Sequence, residues 1–476
     1  MRICLVAAFP PSGRQLTEYS FHLAREIQRH PHVELTILAD ELGGDESSAL
    51  AGDDISDGQQ HELPGFNVVR CWKFGSVGTP MRLLSTIRKL NPDVVWFNLV
   101  FSSFGTPDQP FAAFAGLSAP ALSRAAGYYT HITLHHIVEH VDLNAAGVHR
   151  EKIYRLGSDL ATRALLKAHS VTVLLSDYRR TLMTKYSAQN VLLGTHGTFA
   201  SSAFAGPLDF SKRGNPDLRV LAIGHWGTYK RLETLVEAFP RVVEKIPNAR
   251  LIIGGGNHQG KPGYWQSIRD AQPSGLPIEF RGYIPHQDLP ELFRTSSVLV
   301  MPYNSSTGSS GPAHQACEYG LPIVCADVPD FKEMAADEDM AVSFYKIGDP
   351  GALADRLIEV LRSPELLHSM AERNYAAGRQ MTMDTVVRNY LRWFELNKFK
   401  REITNSDALP RRRRNRAKAL FDDARPDDWA ERPEQSEDGA HDPLAEYLDA
   451  AAAPSISGAS TLNHRGAMTS KELKQR

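Results

Sequence analysis

Apolar runs alternate with helical patterns from residue 2 to 197. Strands are predicted near 2–9, 33–40, 66–72, 93–99, 129–136, 170–176 and 190–195, and helices near 17–30, 81–90, 151–168 and 177–186. The strand segments are apolar without interruption rather than at every second position, which is the pattern of a parallel sheet covered on both faces. A stretch without period, 198–217, reads as a linker; the alternation then restarts with strands 219–223, 250–253, 278–282, 297–301 and 322–327 and helices 232–246, 263–272, 287–295, 311–319 and 351–362. Two successive series of this kind predict two doubly wound α/β domains facing each other across a cleft. The expected bounds are 1–200, a linker 201–217, a second domain 218–380, a closing helix 381–400 with apolar Val386, Val387, Tyr390, Leu391, Trp393 and Phe394, and a tail 401–476 expected to be disordered.

At 476 residues the chain holds two cores and a tail. Its 53 Lys and Arg against 55 Asp and Glu leave a net charge of −2, so no global field draws it to nucleic acid. The basic run Arg411–Lys418 reads either as a solvated tail or as a peripheral contact with anionic lipid. Cys4, Cys71, Cys317 and Cys325 form no ligand pair and read as reduced core residues of a cytoplasmic protein. The opening run ends at Pro10-Pro11 and reads as a first strand rather than an export signal.

The most informative stretch is 307–324, where Thr-Gly-Ser-Ser-Gly-Pro opens a helix that runs into a buried strand. Such a turn offers backbone N–H groups and the positive end of a helix to a phosphate. Thr307, Gly308, Ser309, Ser310 and Gly311 are therefore candidates for donor binding, with simple helix capping the competing role of the two serines. Lys230 and Arg231 follow the loop after strand 219–223, where a cation can neutralise a diphosphate or merely sit in solvent at a helix start. Gly13 follows the first strand, and Arg14 beside it either holds an anion or is solvated. His131, His135, His136 and His140 cluster with Glu139 and Asp142, but 129–136 reads as strand, so no metal is expected. His196 is a weaker cleft candidate, with a hinge role as its alternative.

From Met1 to about residue 396 the chain resembles the family 4 retaining glycosyltransferases of GT-B architecture. The resemblance rests on Gly224 with Lys230, Leu-Ile-Ile-Gly-Gly-Gly (251–256), Phe-Arg-Gly-Tyr-Ile-Pro (280–285), Val-Leu-Val-Met-Pro (298–302) and Gly-Leu-Pro-Ile-Val-Cys-Ala (320–326). In the first domain it rests on Phe-Pro-Pro-Ser-Gly (9–13), Pro-Asp-Val-Val (92–95) and Thr-Leu-His (133–135). It implies transfer of a hexose from a nucleotide diphosphate-sugar to a hydroxyl of a glycan or lipid-linked acceptor, in polysaccharide or other glycan assembly, without a cofactor. It further implies that Lys230 and His135 serve the reaction and that Gly13, His225, Arg231 and the 307–311 turn hold the donor. Two departures stand out. Aligning on Gly320-Leu321-Pro322 places the family's Glu-x7-Glu pair at Thr307 and Gln315, and the family's arginine beside the first glycine is His225. Gln315 is left to bond the ribose, with Glu318 one turn on as a partial stand-in for the lost charge. The alternatives are a nucleotide-sugar epimerase of the same architecture and a noncatalytic sugar-nucleotide-binding protein.

Overall fold

The computed structural model describes residues 1–42, 65–106, 109–140, 151–199, 209–210, 217–227, 229–258, 261–285, 288–306 and 308–405. The first domain runs β1 (Arg2–Val6), α1 (Thr17–Ile27), β2 (Glu34–Asp40), β3 (Val68–Trp72), α2 (Thr79–Leu90), β4 (Val94–Leu99), α3 (Pro110–Gly116), α4 (Ala119–Ala125), β5 (Tyr129–Leu134), α5 (Glu151–Leu165), β6 (Ser170–Val173), α6 (Ser176–Tyr186) and β7 (Val191–Leu193). Its seven strands are ordered β3-β2-β1-β4-β5-β6-β7 and pair in parallel. Helices cover both faces, which is why strands such as β4, Val-Val-Trp-Phe-Asn-Leu, are buried at every position.

The second domain runs β8 (Arg219–Ile223), α7 (Leu232–Lys245), β9 (Arg250–Gly254), α8 (Tyr264–Ala271), β10 (Ile278–Gly282), α9 (Leu289–Thr295), β11 (Val298–Met301), α10 (Gly311–Glu318), β12 (Ile323–Ala326), α11 (Pro329–Asp337), β13 (Val342–Tyr345), α12 (Pro350–Arg362) and α13 (Pro364–Gln380). Its six parallel strands are ordered β10-β9-β8-β11-β12-β13. In each sheet the order reverses beside the first strand of the domain, between β1 and β4 and between β8 and β11. Ligands of open α/β sheets enter outside the carboxyl ends of strands at such a point.

The doubly wound two-domain architecture is as expected, with α3, α4, α11, β13 and α13 as additional elements. In α3 and α4, Pro110 and Pro120 occupy first-turn positions, as proline readily does, so each opens its own short helix. The last helix, α14 (Met383–Asn405), continues past the expected end at residue 400. It crosses back to the first sheet, where Tyr390 and Phe394 stack on Trp96 at 4.5 and 5.2 Å. The linker lies mostly outside the described residues, and so does the expected tail beyond Asn405. None of the described helices is long and apolar enough to cross a membrane.

Candidate active site

The turn after β8 brings backbone very close to backbone. Gly224 has φ 158° and its N–H donates to the carbonyl of Gly254 at 3.2 Å, while a Cβ on Gly255, at φ 100°, would lie 1.9 Å from the Gly224 oxygen. Only glycine fits there. Short isolated ladders tie Lys230 to Gly227 and to Tyr303, the second residue after β11, so the two loops that flank the switch point are held together. The Lys230 side chain folds back over Gly224: a Cβ there would stand 3.2 Å from Lys230 Nζ and 3.4 Å from Tyr303 Oη. Nζ also sits 5.1 Å from the centre of the Tyr303 ring, within reach of its π face. Burial lowers the Lys230 pKa to about 8, and no carboxylate among the described residues offsets it. Its ammonium is thus a cation held in a partly dry place without an anion among those residues.

The other predicted donor residues separate in space. Arg231 is half-exposed and pairs with Glu233 at 3.5 Å. His225 is exposed at the rim, and desolvation, Lys230 and then His258 hold it below the ordinary histidine range. Thr307 lies outside the described residues. Gly308, at φ 110°, is not a free phosphate cradle: a Cβ on it would lie 2.3 Å from the carbonyl oxygen of His135 in the first domain. Its N–H donates to Ser306 Oγ at 2.9 Å. Gly308 is therefore one of the points where the domains touch. Ser309 Oγ rests on Met334 Sδ at 3.6 Å. Ser310 caps α10, its Oγ accepting from the Ala313 N–H at 3.4 Å. What stays open is Gly311 at the first position of α10, with nothing within 4 Å of the place for its Cβ. Gln315 is half-buried on the same helix. Glu318 is buried, and its carboxylate engages the Tyr319 hydroxyl, while the Tyr319 ring lies under the Arg294 guanidinium, so the Glu318 charge is engaged within the fold.

In the first domain Gly13 faces open space. Ser12 Oγ donates to Asp40 at 2.6 Å, and Arg14 pairs with the same carboxylate at 3.4 Å while stacking on Phe74 at 3.7 Å. His135 follows the end of β5, buried, its Nε2 2.7 Å from Asn98 Oδ1 and its ring 4.6 Å from Tyr19. Burial and then His136 lower its pKa to about 3, so it is neutral at pH 7. His131 is fully buried against Ser170 Oγ at 2.8 Å, and His136 packs on Phe101, so these histidines point to separate surroundings. His196 stacks on His314 of α10 at 4.6 Å, joining the domains. His140 reaches across to Asp330 of α11 at 3.3 Å, beside Tyr178, whose hydroxyl donates to Asp330 at 2.7 Å.

Two groups here escaped the sequence reading. Tyr303 had a signal, since it follows Met301-Pro302 at a strand's carboxyl end, but tyrosine belongs to no phosphate-binding pattern. Glu338 had none: it sits within the acidic run Asp337-Glu338-Asp339, yet its side chain is 3% exposed and lies 2.8 Å from His314 Nε2. Burial works against protonating His314, and the Glu338 charge overcomes it, so the His314 pKa is raised.

Residues 217–363 match the family model described as "Glycosyl transferases group 1". The chain is 23% identical over 177 residues to O-antigen chain mannosyltransferase B of Escherichia coli, which covers 37% of this chain and 45% of that protein. It is 24% identical over 179 residues to a phosphatidyl-myo-inositol mannosyltransferase of Mycobacterium leprae (strain TN), 37% of this chain and 46% of that protein. The chain thus spans about half the length of the curated relatives it matches. Among solved structures, sucrose-phosphate synthase from Thermosynechococcus elongatus superposes with a TM-score of 0.61 at 14% identity, over 83% of this chain and 99% of that one. Anabaena Alr3699/HepE, solved in complex with UDP-glucose, superposes with a TM-score of 0.57 at 15% identity, over 83% of this chain and 100% of that one. The fold is that of a GT-B glycosyltransferase. Within that fold, the second domain carries the match to the group 1 glycosyl transferase model.

Proposed function

We propose that this protein is a retaining glycosyltransferase that moves a sugar from a nucleotide diphosphate-sugar onto a hydroxyl acceptor in glycan assembly. The observation that carries the reading is Lys230, a half-buried ammonium without a counter-charge among the described residues, folded over a glycine at the switch point of the second sheet. A diphosphate laid between Lys230 and the open N-terminus of α10 at Gly311 would supply the missing anion. Both groups gain most when negative charge grows on the leaving phosphate, and that preference for the transition state is what lowers the barrier. In this scheme Gln315 bonds the ribose, and the acceptor enters beside Gly13 and His135. A front-face departure, in which the leaving phosphate oxygen receives the acceptor proton, needs no carboxylate at the places taken by Thr307 and Gln315. His135, neutral, orients a sugar hydroxyl rather than exchanging protons. Domain contact through Gly308 and His135 keeps water, a competing acceptor, from the reacting carbon. Arg231 and Glu318 have no part in this scheme, being engaged elsewhere.

The absent carboxylate pair favours one second reading, a sugar-nucleotide-binding protein without turnover. Purified protein given UDP-, GDP- and ADP-sugars with candidate glycan acceptors separates the two. Release of free nucleotide diphosphate with an α-linked product supports transfer; binding without release supports the second reading. Recovery of the protein with anionic vesicles, lost when Arg411–Arg414 are neutralised, would support a peripheral membrane contact.

A further inference from the structure

Two hydrogen-bond donors lie together above Gly224 with no acceptor for them among the described residues. Lys230 Nζ and Tyr303 Oη lie 3.2 and 3.4 Å from the point that a Cβ on Gly224 would occupy. Tyr303 is 3% exposed, and its hydroxyl has no hydrogen-bond partner among the described residues. Buried hydroxyls in folded proteins are nearly always paired, so one that is not calls for a partner from outside the chain. The Tyr303 ring packs on Phe331 at 5.6 Å, and a backbone bridge between Tyr303 and Lys230 joins the two loops that carry the donors. The ammonium comes from the β8 loop and the hydroxyl from the β11 loop, and the two therefore straddle the strand reversal where a ligand of this sheet enters. Burial drives the phenol's pKa upward, which keeps its hydrogen in place as a donor. One cation and one neutral donor side by side over the face of Gly224 suit a ligand oxygen, placed beyond that face, that carries negative charge and several lone pairs.

We propose that Tyr303 donates its hydroxyl hydrogen to a phosphate oxygen of the sugar donor, beside Lys230, as a diphosphate-binding residue of this site. The assignment rests on the glycosyltransferase reading. It gives the site a neutral second donor where His225, exposed and held below its ordinary pKa, brings no fixed positive charge.

The test is Tyr303→Phe in the full chain, with UDP, GDP and ADP and the matching nucleosides titrated by calorimetry and thermal shift. The ligand-free variant should melt at or above the wild-type temperature, because an unpaired buried oxygen has been removed. The diphosphate that binds wild type should bind the variant about tenfold more weakly, the loss of one hydrogen bond to a charged group, while nucleoside affinity stays unchanged. Equal diphosphate affinity in the two proteins overturns the assignment alone. A variant that melts lower, or does not fold, also overturns it, since the hydroxyl would then have had a partner within the protein. If wild type binds none of the three diphosphates, the glycosyltransferase reading falls and takes this assignment with it.

Discussion

Replacing Lys230 with methionine keeps the length and apolar stem of the side chain and removes its charge. In wild type, burial draws the pKa from 10.5 to about 8. A fall of roughly 2.5 pH units corresponds to roughly 3 kcal/mol spent on holding the charge at pH 7. The side chain is only half-buried, and water at the amine reduces this to about 2 kcal/mol. The unfolded chain keeps the lysine proton until about pH 10.4, whereas the folded chain releases it near 8, so between those values the unfolded state binds more protons and wild-type stability rises with pH. Lys230→Met should therefore be more stable than wild type below pH 8, by several degrees in melting temperature, and this advantage should shrink steadily toward pH 10. Saturating diphosphate should invert the order, because it restores the missing counter-charge in wild type only. Calorimetric melting of both proteins from pH 7 to 10, with and without UDP, GDP or ADP, makes the comparison. A methionine variant less stable at pH 7, or a stability gap that does not change with pH, would refute the account of Lys230 as an unpaired cation.

Gly308→Ala combines a positive φ, costing about 1–2 kcal/mol, with a Cβ pressed to 2.3 Å from the His135 carbonyl. Because that oxygen belongs to backbone, the domains must part; melting temperature should fall by several degrees and transfer with it, and an unchanged melting temperature would count against Gly308 as a contact point. His140 bonds Asp330, whose charge, with Asp177 and Glu139 adding, outweighs burial and raises its pKa. A raised pKa makes this contact fully stabilising below about pH 6.5, the unperturbed histidine value, and the stabilisation is lost as pH rises through the folded-state value. The difference in melting temperature between wild type and His140→Ala should accordingly narrow from pH 5.5 to 8.5, and a constant difference would exclude the titration.

Strand positions were legible because each is a short apolar run bounded by turn formers, and burial on both faces of a parallel sheet demands that composition. α11 and β13 were not: Pro-Asp-Phe-Lys-Glu-Met carries weak periodicity, and β13 is an edge strand only partly buried, so its pattern is mild. Among the site residues, Gly224 and Lys230 could be found because their spacing marks a tight turn followed by a helix. Gly308 was misread as a cradle, since a sequence shows that a glycine is needed but not which neighbour excludes its side chain. Here the neighbour is His135, 173 positions away in the chain.

Local order thus determined that this chain builds two parallel sheets and puts glycine-rich turns at their carboxyl ends, because hydrophobic period and turn chemistry act over a few residues. Tertiary structure alone decided which charges survive. It spent Arg14 on Asp40, left Lys230 and Tyr303 without acceptors among the described residues, and buried Glu338 against His314. Pairing and desolvation depend on what the fold brings within a few ångströms, and separation along the chain says nothing about that.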